Sequence, residues 1–256
     1  MLLICPVHTT QFLTEYNLGV EAHIGRYDAL DGWDKYIPFV HGVHLPYSGF
    51  NLAAFDDELR QKSIDGVKAA IDIGAQYPVN HMVMHTMGIE SYDGVSLGNY
   101  ERMIDGIRII ADYAAKLKIT LCIENQAQHA AHRVIYGVYA EDWYKIREDV
   151  SRENVILTLD TSHAACAAAL KVGKENRFAY MYEFLKHPEY IGRVHWSDSR
   201  LERAQAYYND MHLIPGEGDL PRDFHRRIKA LDATKTLEQK RPEADVLKGL
   251  EFVESL

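Results

Sequence analysis

Six residues with metal-binding side chains, His44, His85, Glu124, Asp160, His195 and Glu238, recur along the chain, each at the end of a short apolar run. Mixed imidazole and carboxylate ligation suits zinc or manganese, whereas calcium and magnesium prefer all-oxygen sets. Each residue alone has an ordinary explanation. A lone histidine is commonly a hydrogen-bonded core or surface group, and an acid that ends a strand commonly caps the helix that follows. As a set they mean more, because carboxylates and neutral imidazoles crowded together are costly unless a cation holds them. Three further candidates lie outside the apolar runs: His163, three positions after Asp160, and the pair Asp210 and His212 just before Pro215-Gly216-Glu217-Gly218. Residues at i and i+2 point the same way in an extended segment, and the Pro-Gly turn would hold that pair rigidly.

The elements that must position these groups alternate. Val155-Ile-Leu-Thr-Leu-Asp160 reads as a buried parallel strand leading into the alanine-rich stretch 164–170. Further strands are expected over 2–6, 19–23, 42–44, 81–85, 119–124, 191–196 and 234–238. Between them, apolar residues at helical spacing predict helices over 56–76, 99–118, 142–150, 178–185, 220–231 and 245–256. Pro46 cannot continue a central strand, which puts His44 at a strand exit. Eight strands interleaved with helices, with no Ser/Gly/Pro linker, predict a single (β/α)8 TIM barrel over residues 1–256 as one domain. The open doubly wound alternative would want a Gly-rich phosphate turn after the first strand, and Pro6-Val7-His8-Thr9-Thr10 is not one. In a parallel barrel the carboxyl ends of all strands face one small mouth, where ligands and catalytic groups collect.

The bulk composition narrows the partners. The chain has 256 residues, is 47% hydrophobic and carries a formal charge of -9, which supports a large core and disfavours nucleic acid as a partner. Cys5, Cys122 and Cys166 are odd in number and lie in apolar stretches, as reduced cytosolic thiols do. With no basic leader and no apolar run of membrane-spanning length, a cytoplasmic protein with no membrane partner is expected.

The motifs Val43-His44-Leu45-Pro46-Tyr47, Met84-His85-Thr86-Met87-Gly88, Ile123-Glu124-Asn125, Leu159-Asp160-Thr161-Ser162-His163, Val194-His195-Trp196-Ser197-Asp198 and Asp210-Met211-His212-Leu213-Ile214-Pro215-Gly216-Glu217-Gly218, with Glu238 last, resemble the xylose-isomerase-like TIM-barrel superfamily. That superfamily also holds the apurinic-site endonucleases of the endonuclease IV type. The resemblance runs from about His41 to Glu238.

It implies two functions. In the sugar isomerases and epimerases, residues matching Glu124, Asp160, His195 and Glu238 hold one divalent ion, those matching the two glutamates serve as acid and base, and that matching His163 steadies a substrate oxygen. In the endonuclease, three zinc ions are held by groups matching His44, His85 and Glu124; Glu124, Asp160, His195 and Glu238; and His163, Asp210 and His212. One to three ions, zinc or manganese, are therefore expected. The loops 24–28 and 49–52 carry few positive groups for gripping a duplex, and Gly32-Trp33, the available wedge, is more simply a buried tryptophan. The sequence thus favours a small sugar or sugar phosphate, with Glu124, Glu238 and His163 as catalytic residues. The alternatives are a trinuclear-zinc AP endonuclease and a metal-stabilised barrel that binds without turnover. The last would be expected to lose an acid or a base, yet Glu124 and Glu238 are both kept. Arg200, Arg203 and Lys240 are candidates for meeting a phosphate. Eight histidines (8, 23, 41, 81, 129, 132, 187 and 225) read as structural or surface groups, His8 and His23 being the alternates for lining the mouth.

Overall fold

In a computed structural model, residues 1–4, 8–26, 28–29, 31–201, 210–239 and 242–256 are described. Cys5, Arg203 and Lys240 lie outside them. Eight parallel strands close into a barrel: β1 (Leu2–Ile4), β2 (Gly19–His23), β3 (Val40–His44), β4 (His81–His85), β7 (Thr120–Glu124), β9 (Val155–Asp160), β10 (Ile191–Trp196) and β11 (Thr234–Leu237). The ring closes where β1 pairs with both β2 and β11, Ile4 opposite Val20 on one side and Leu237 on the other. The predicted (β/α)8 barrel is thus the observed fold. Among the described residues three strand ends differ from expectation: β3 begins two residues earlier, at Val40, β7 begins one residue later, at Thr120, and β11 stops at Leu237, one residue before Glu238.

The helices wrap the ring because their apolar positions share one face. In α3 (Tyr100–Lys116), Met103, Ile104, Ile107, Ile110, Ala111 and Ala114 are all buried, and the Asn99 side chain caps the first turn through Arg102 N. Asp56 does the same for α2 (Asp57–Gly74) through Glu58 N and Leu59 N. The other α-helices are α1 (Thr10–Glu15), α4 (Ala140–Val150), α5 (Thr161–Lys171), α6 (Arg177–Met181), α7 (Arg222–Ala230) and α8 (Glu243–Glu254). The alanine-rich α5 is buried from Thr161 to Ala169, and its small side chains let it lie close against the sheet. The helical stretch expected over 178–185 is α6 followed by a tighter turn, Tyr182–Leu185. Among the described residues, no helix is long and apolar enough to cross a membrane.

A small antiparallel sheet escaped the sequence reading. Its strands, β5 (Ile89–Tyr92), β6 (Val95–Ser96) and β8 (Arg133–Ile135), follow the exits of β4 and β7, and Ile89 and Ile135 line the cavity above the barrel. Strands of two to four residues carry too little periodicity to be recognised.

Candidate metal centre

The barrel delivers the predicted residues to one place because each stands at a strand's carboxyl end. His44, His85, Glu124 and Asp160 are the last residues of β3, β4, β7 and β9, His195 is the last but one of β10, and Glu238 directly follows β11. Glu124 is central and buried. Its Oε2 lies 3.1 Å from His44 Nε2 and 3.0 Å from His85 Nε2, while Oε1 lies 3.0 Å from His195 Nδ1. The same His195 Nδ1 is 3.1 Å from Glu238 Oε2 and 3.9 Å from Asp160 Oδ2. One candidate ligand atom from each of Glu124, Asp160, His195 and Glu238 falls within 4.8 Å of the others, the expected central group.

The flanking groups differ in membership from those implied by the resemblance. On one side the set within mutual reach is His44, Glu124 and His195, and His85 joins it through Glu124 Oε2 at 3.0 Å. On the other it is Asp160, His163 and His212, with Asp210 between the two histidines, 3.8 Å from His163 Nε2 and 2.9 Å from His212 Nε2. All nine expected residues are nonetheless brought together.

The fit of this set to a cation is tested by its unpartnered atoms. Asp160 Oδ1 caps α5 by accepting from His163 N at 2.7 Å, but Oδ2 is buried with no hydrogen-bond partner. The ordinary explanation for a strand-end acid therefore accounts for one oxygen of Asp160 and leaves the other unexplained. Asp210 Oδ1, His212 Nδ1 and Glu238 Oε2 are in the same state. Glu238 Oε2 and Asp210 Oδ1 have nitrogens near 3 Å that are not aligned as hydrogen bonds, so these lone pairs converge on shared space. Leaving such atoms bare costs about 1–3 kcal/mol each, and a divalent cation would remove that cost. The donor set fits one.

Proton positions follow the same logic. His44 Nδ1 and His163 Nδ1 donate to the carbonyls of Leu45 (2.7 Å) and Asn125 (2.8 Å), which leaves each Nε2 as the ligand atom of the neutral ring. Burial raises the Asp160 carboxyl to about 6. Burial works to lower His163 and His212, but surrounding carboxylates override it. Asp160, Asp210 and Glu124 hold His163 at about 9, and Glu238, Asp160 and Asp210 hold His212 at about 10. Burial opposes ionisation of Glu124 and Glu238 too, yet the neighbouring histidines keep both well below the usual carboxylate range.

Buried side chains fix the loop that carries Asp210 and His212. Ser162 Oγ accepts from the backbone N–H groups of Met211 (2.9 Å) and His212 (3.1 Å). Asp198 accepts from Ser199, Gly216 and Leu220 N–H groups and from His225 Nε2, which is protonated because Trp196 Nε1 donates to His225 Nδ1. The Pro-Gly-Glu-Gly turn needs both glycines: Gly216 has φ +91°, and a Cβ on Gly218 would stand 2.1 Å from Asp198 Oδ1.

The sequence reading missed several groups. Asn125 joins β7 to β9 by accepting from Asp160 N (2.7 Å) and donating to Asp160 O (3.0 Å). Glu21, in the middle of β2, lies 2.8 Å from His195 Nε2. His23, by contrast, is an expected alternate for lining the mouth and does line it; it is stacked on His44 with ring centroids 4.5 Å apart, and burial together with the His44 charge lowers it to about 3. It and His129 line the cavity, which has a volume of about 210 Å³ and is also lined by Arg26, Tyr47, Phe50 and Arg133. His225 is structural, as expected. Arg200 is exposed and does not line this cavity. Trp33 is 6% exposed and donates to Tyr77 Oη, so it offers no wedge.

Comparison with known proteins agrees with this architecture. The profile of the family described as xylose isomerase-like TIM barrel matches residues 32–256. Over 176 residues the chain is 26% identical to a protein of Persephonella marina named probable endonuclease 4, a stretch covering 67% of this chain and 58% of that one. It is 25% identical over 187 residues to the uncharacterized protein MJ1311 of Methanocaldococcus jannaschii, covering 70% and 56%. The matched stretches thus span little more than half of these relatives' lengths. A crystal structure described as a D-tagatose 3-epimerase-like protein superposes with a TM-score of 0.74 at 20% identity, covering 100% of this chain and 96% of that one.

Proposed function

Since this chain belongs to the xylose isomerase-like TIM-barrel family, we propose that it is a divalent-metal-dependent isomerase or epimerase acting on a small sugar or sugar phosphate. One observation carries the reading: two carboxylates, Glu124 Oε1 and Glu238 Oε2, lie 3.0 and 3.1 Å from the same nitrogen, His195 Nδ1, at the floor of a small cavity. Two ionised carboxylates beside one cation are suited to removing a proton from a carbon next to a carbonyl and returning it elsewhere. The bound ion, zinc or manganese, would polarise that carbonyl. Glu124, Asp160, His195 and Glu238 hold it in this reading, with His44, His85, His163, Asp210 and His212 available for one or two more. His163 Nε2 faces the cavity and steadies a substrate oxygen. Both glutamates line the cavity, Glu238 at 22% exposure being more open to substrate than Glu124 at 1%.

A cavity of about 210 Å³ supports a ligand smaller than the drug-sized molecules that fill pockets of roughly 300–1,000 Å³. The whole chain, 1–256, acts as one domain here, and the burial of Cys122 and Cys166 accords with a reducing cytoplasm. A second reading, a phosphodiester hydrolase of the endonuclease IV type, is favoured by the convergence of all nine candidate residues, His85 and Asp210 through their ion-pair contacts, and by the name of the Persephonella relative. The buried Trp33 and the net charge of -9 speak against duplex binding.

The test is a pair of assays on the metal-loaded chain: deuterium incorporation from solvent into a panel of ketoses and their phosphates, and nicking of duplex DNA containing an abasic site at low salt. Exchange that falls about 100-fold or more in Glu238→Gln is expected of a general acid or base. Metal-dependent nicking with no exchange anywhere in the panel would replace the first reading with the second.

A further inference from the structure

We propose that Glu21 is a positioning residue for the metal centre: from inside the barrel it holds the His195 ring so that Nδ1 points at the central group. This inference rests on the metal-binding half of the reading above and not on the identity of the substrate. His195 is fully buried and both its nitrogens face carboxylates, Nδ1 toward Glu124 and Glu238 and Nε2 toward Glu21 Oε1 at 2.8 Å. An imidazole has one lone pair when neutral, so whichever nitrogen keeps the proton cannot bind a metal. An ionised carboxylate on Nε2 keeps the proton there and leaves the Nδ1 lone pair for the cation, and it also makes that nitrogen a stronger donor to metal.

The rest of the layer is arranged to keep Glu21 charged and still. Its Oε2 accepts from Arg193 Nη2 at 2.5 Å and from Thr236 Oγ1 at 3.1 Å, so four strands, β2, β10, β11 and, through space left by Gly42, β3, contribute. A Cβ on Gly42 would stand 2.3 Å from Arg193 Nη2 and 3.0 Å from Glu21 Oε2, so the absence of a side chain there admits the guanidinium. Glu21 and Arg193 are each 1% exposed, and neither reaches the cavity lining. A buried ion pair that could be replaced by apolar residues at little cost to stability is better explained by what it orients.

Zinc affinity of the full chain, measured by competition with a chromogenic chelator, decides the matter alongside thermal unfolding of each metal-free variant. Glu21→Gln is expected to bind zinc about 10–100-fold more weakly, the range seen when an outer partner of a metal-ligating histidine is lost. Arg193→Gln, which leaves the carboxylate on His195, should lose far less, even if it lowers the unfolding temperature by more. Where Glu21→Gln alone does not fold because Arg193 is left unmatched, Glu21→Gln/Arg193→Gln removes both charges and should show the same loss. A folded Glu21→Gln or double variant within twofold of the wild-type affinity overturns the proposal, as does affinity that simply follows unfolding temperature across the three variants. A double variant that also fails to fold assigns the pair to the core and overturns it likewise. Absence of zinc binding by the wild type is a different failure, which removes the metal centre and the isomerase reading with it.

Discussion

Asp160 caps α5 with one oxygen and, in the proposed reading, offers the other to a cation, and replacing it separates the two. In Asp160→Ala the metal-free chain loses the cap on α5, a cost of about 0.5–2 kcal/mol. It also loses the bare, buried Oδ2, a relief of about 1–3 kcal/mol. The two largely offset, so the metal-free variant should unfold within about 2 kcal/mol of wild type. The metal-loaded comparison is different. With zinc 100-fold above its dissociation constant, binding stabilises the wild type by about 2.7 kcal/mol. That is about 5–11 °C in unfolding temperature, at about 2–4 °C per kcal/mol for a chain of this size. If losing the ligand weakens binding about 100-fold, the same zinc concentration adds only about 0.4 kcal/mol, a shift of about 1–2 °C. Calorimetric scans with zinc and with a chelator, paired with elemental analysis, read both quantities. The reasoning fails if Asp160→Ala keeps the full zinc-induced shift. It fails equally if the metal-free variant collapses by more than about 4 kcal/mol, since Oδ2 would then be stabilising rather than waiting for an ion.

Other expectations follow from the same geometry. Zinc uptake near pH 7 should release protons, because His163 and His212, held at about 9 and 10, are charged in the metal-free chain and must give up protons to bind; affinity should therefore rise with pH from about 6 to 9. Calorimetry in buffers of different ionisation enthalpy measures this, and identical heats in all of them would contradict it. Ser162→Ala removes the acceptor that holds Met211 and His212, and should lower the zinc-to-protein ratio through the flanking group while the central group still fills. An unchanged ratio at saturation would show that the loop is held by other means. Asn125→Ala strips partners from Asp160 N–H and C=O and should destabilise the metal-free chain by about 2–4 kcal/mol, read by urea unfolding. A loss under about 1 kcal/mol would mean the two backbone groups find substitutes.

Much of the site was legible because barrel strands end where chemistry begins. An apolar run that stops on His or an acid announces a strand and its exit: His44, His85, Glu124 and Asp160 are strand-final, His195 stands one residue before its strand's end and Glu238 one after. The pair Asp210 and His212 was readable for another reason, the glycine turn beside it. Glu21 was not, because it sits mid-strand in Gly-Val-Glu-Ala-His, where an acid in an otherwise apolar run gives no hint of which residue answers it. The available signal was the complementary charge of Arg193, mid-strand in Gly-Arg-Val-His; only the ring order of the strands brings the two together. Asn125 was quoted as part of a motif, but its bonds run to backbone atoms of the next strand, and such pairing leaves no pattern in side-chain types. The small β5, β6 and β8 sheet was missed for want of length.

The closure of the barrel between its first and last strands sets an order on how the centre comes into being. Glu21 leaves the ribosome before His44, His85 and Glu124. Glu238 arrives more than two hundred residues after Glu21, on the strand that also seals the ring against β1. A growing chain, emerging at about 5–20 residues per second, thus carries two imidazole-bearing strand ends and one carboxylate for several seconds before Glu238 exists. In the proposed reading, a metal met by those early residues would be held without the last ligand and would be free to leave. Selection of the ion in that reading belongs to the finished barrel, and the final strand would act on both closure and retention in a single step.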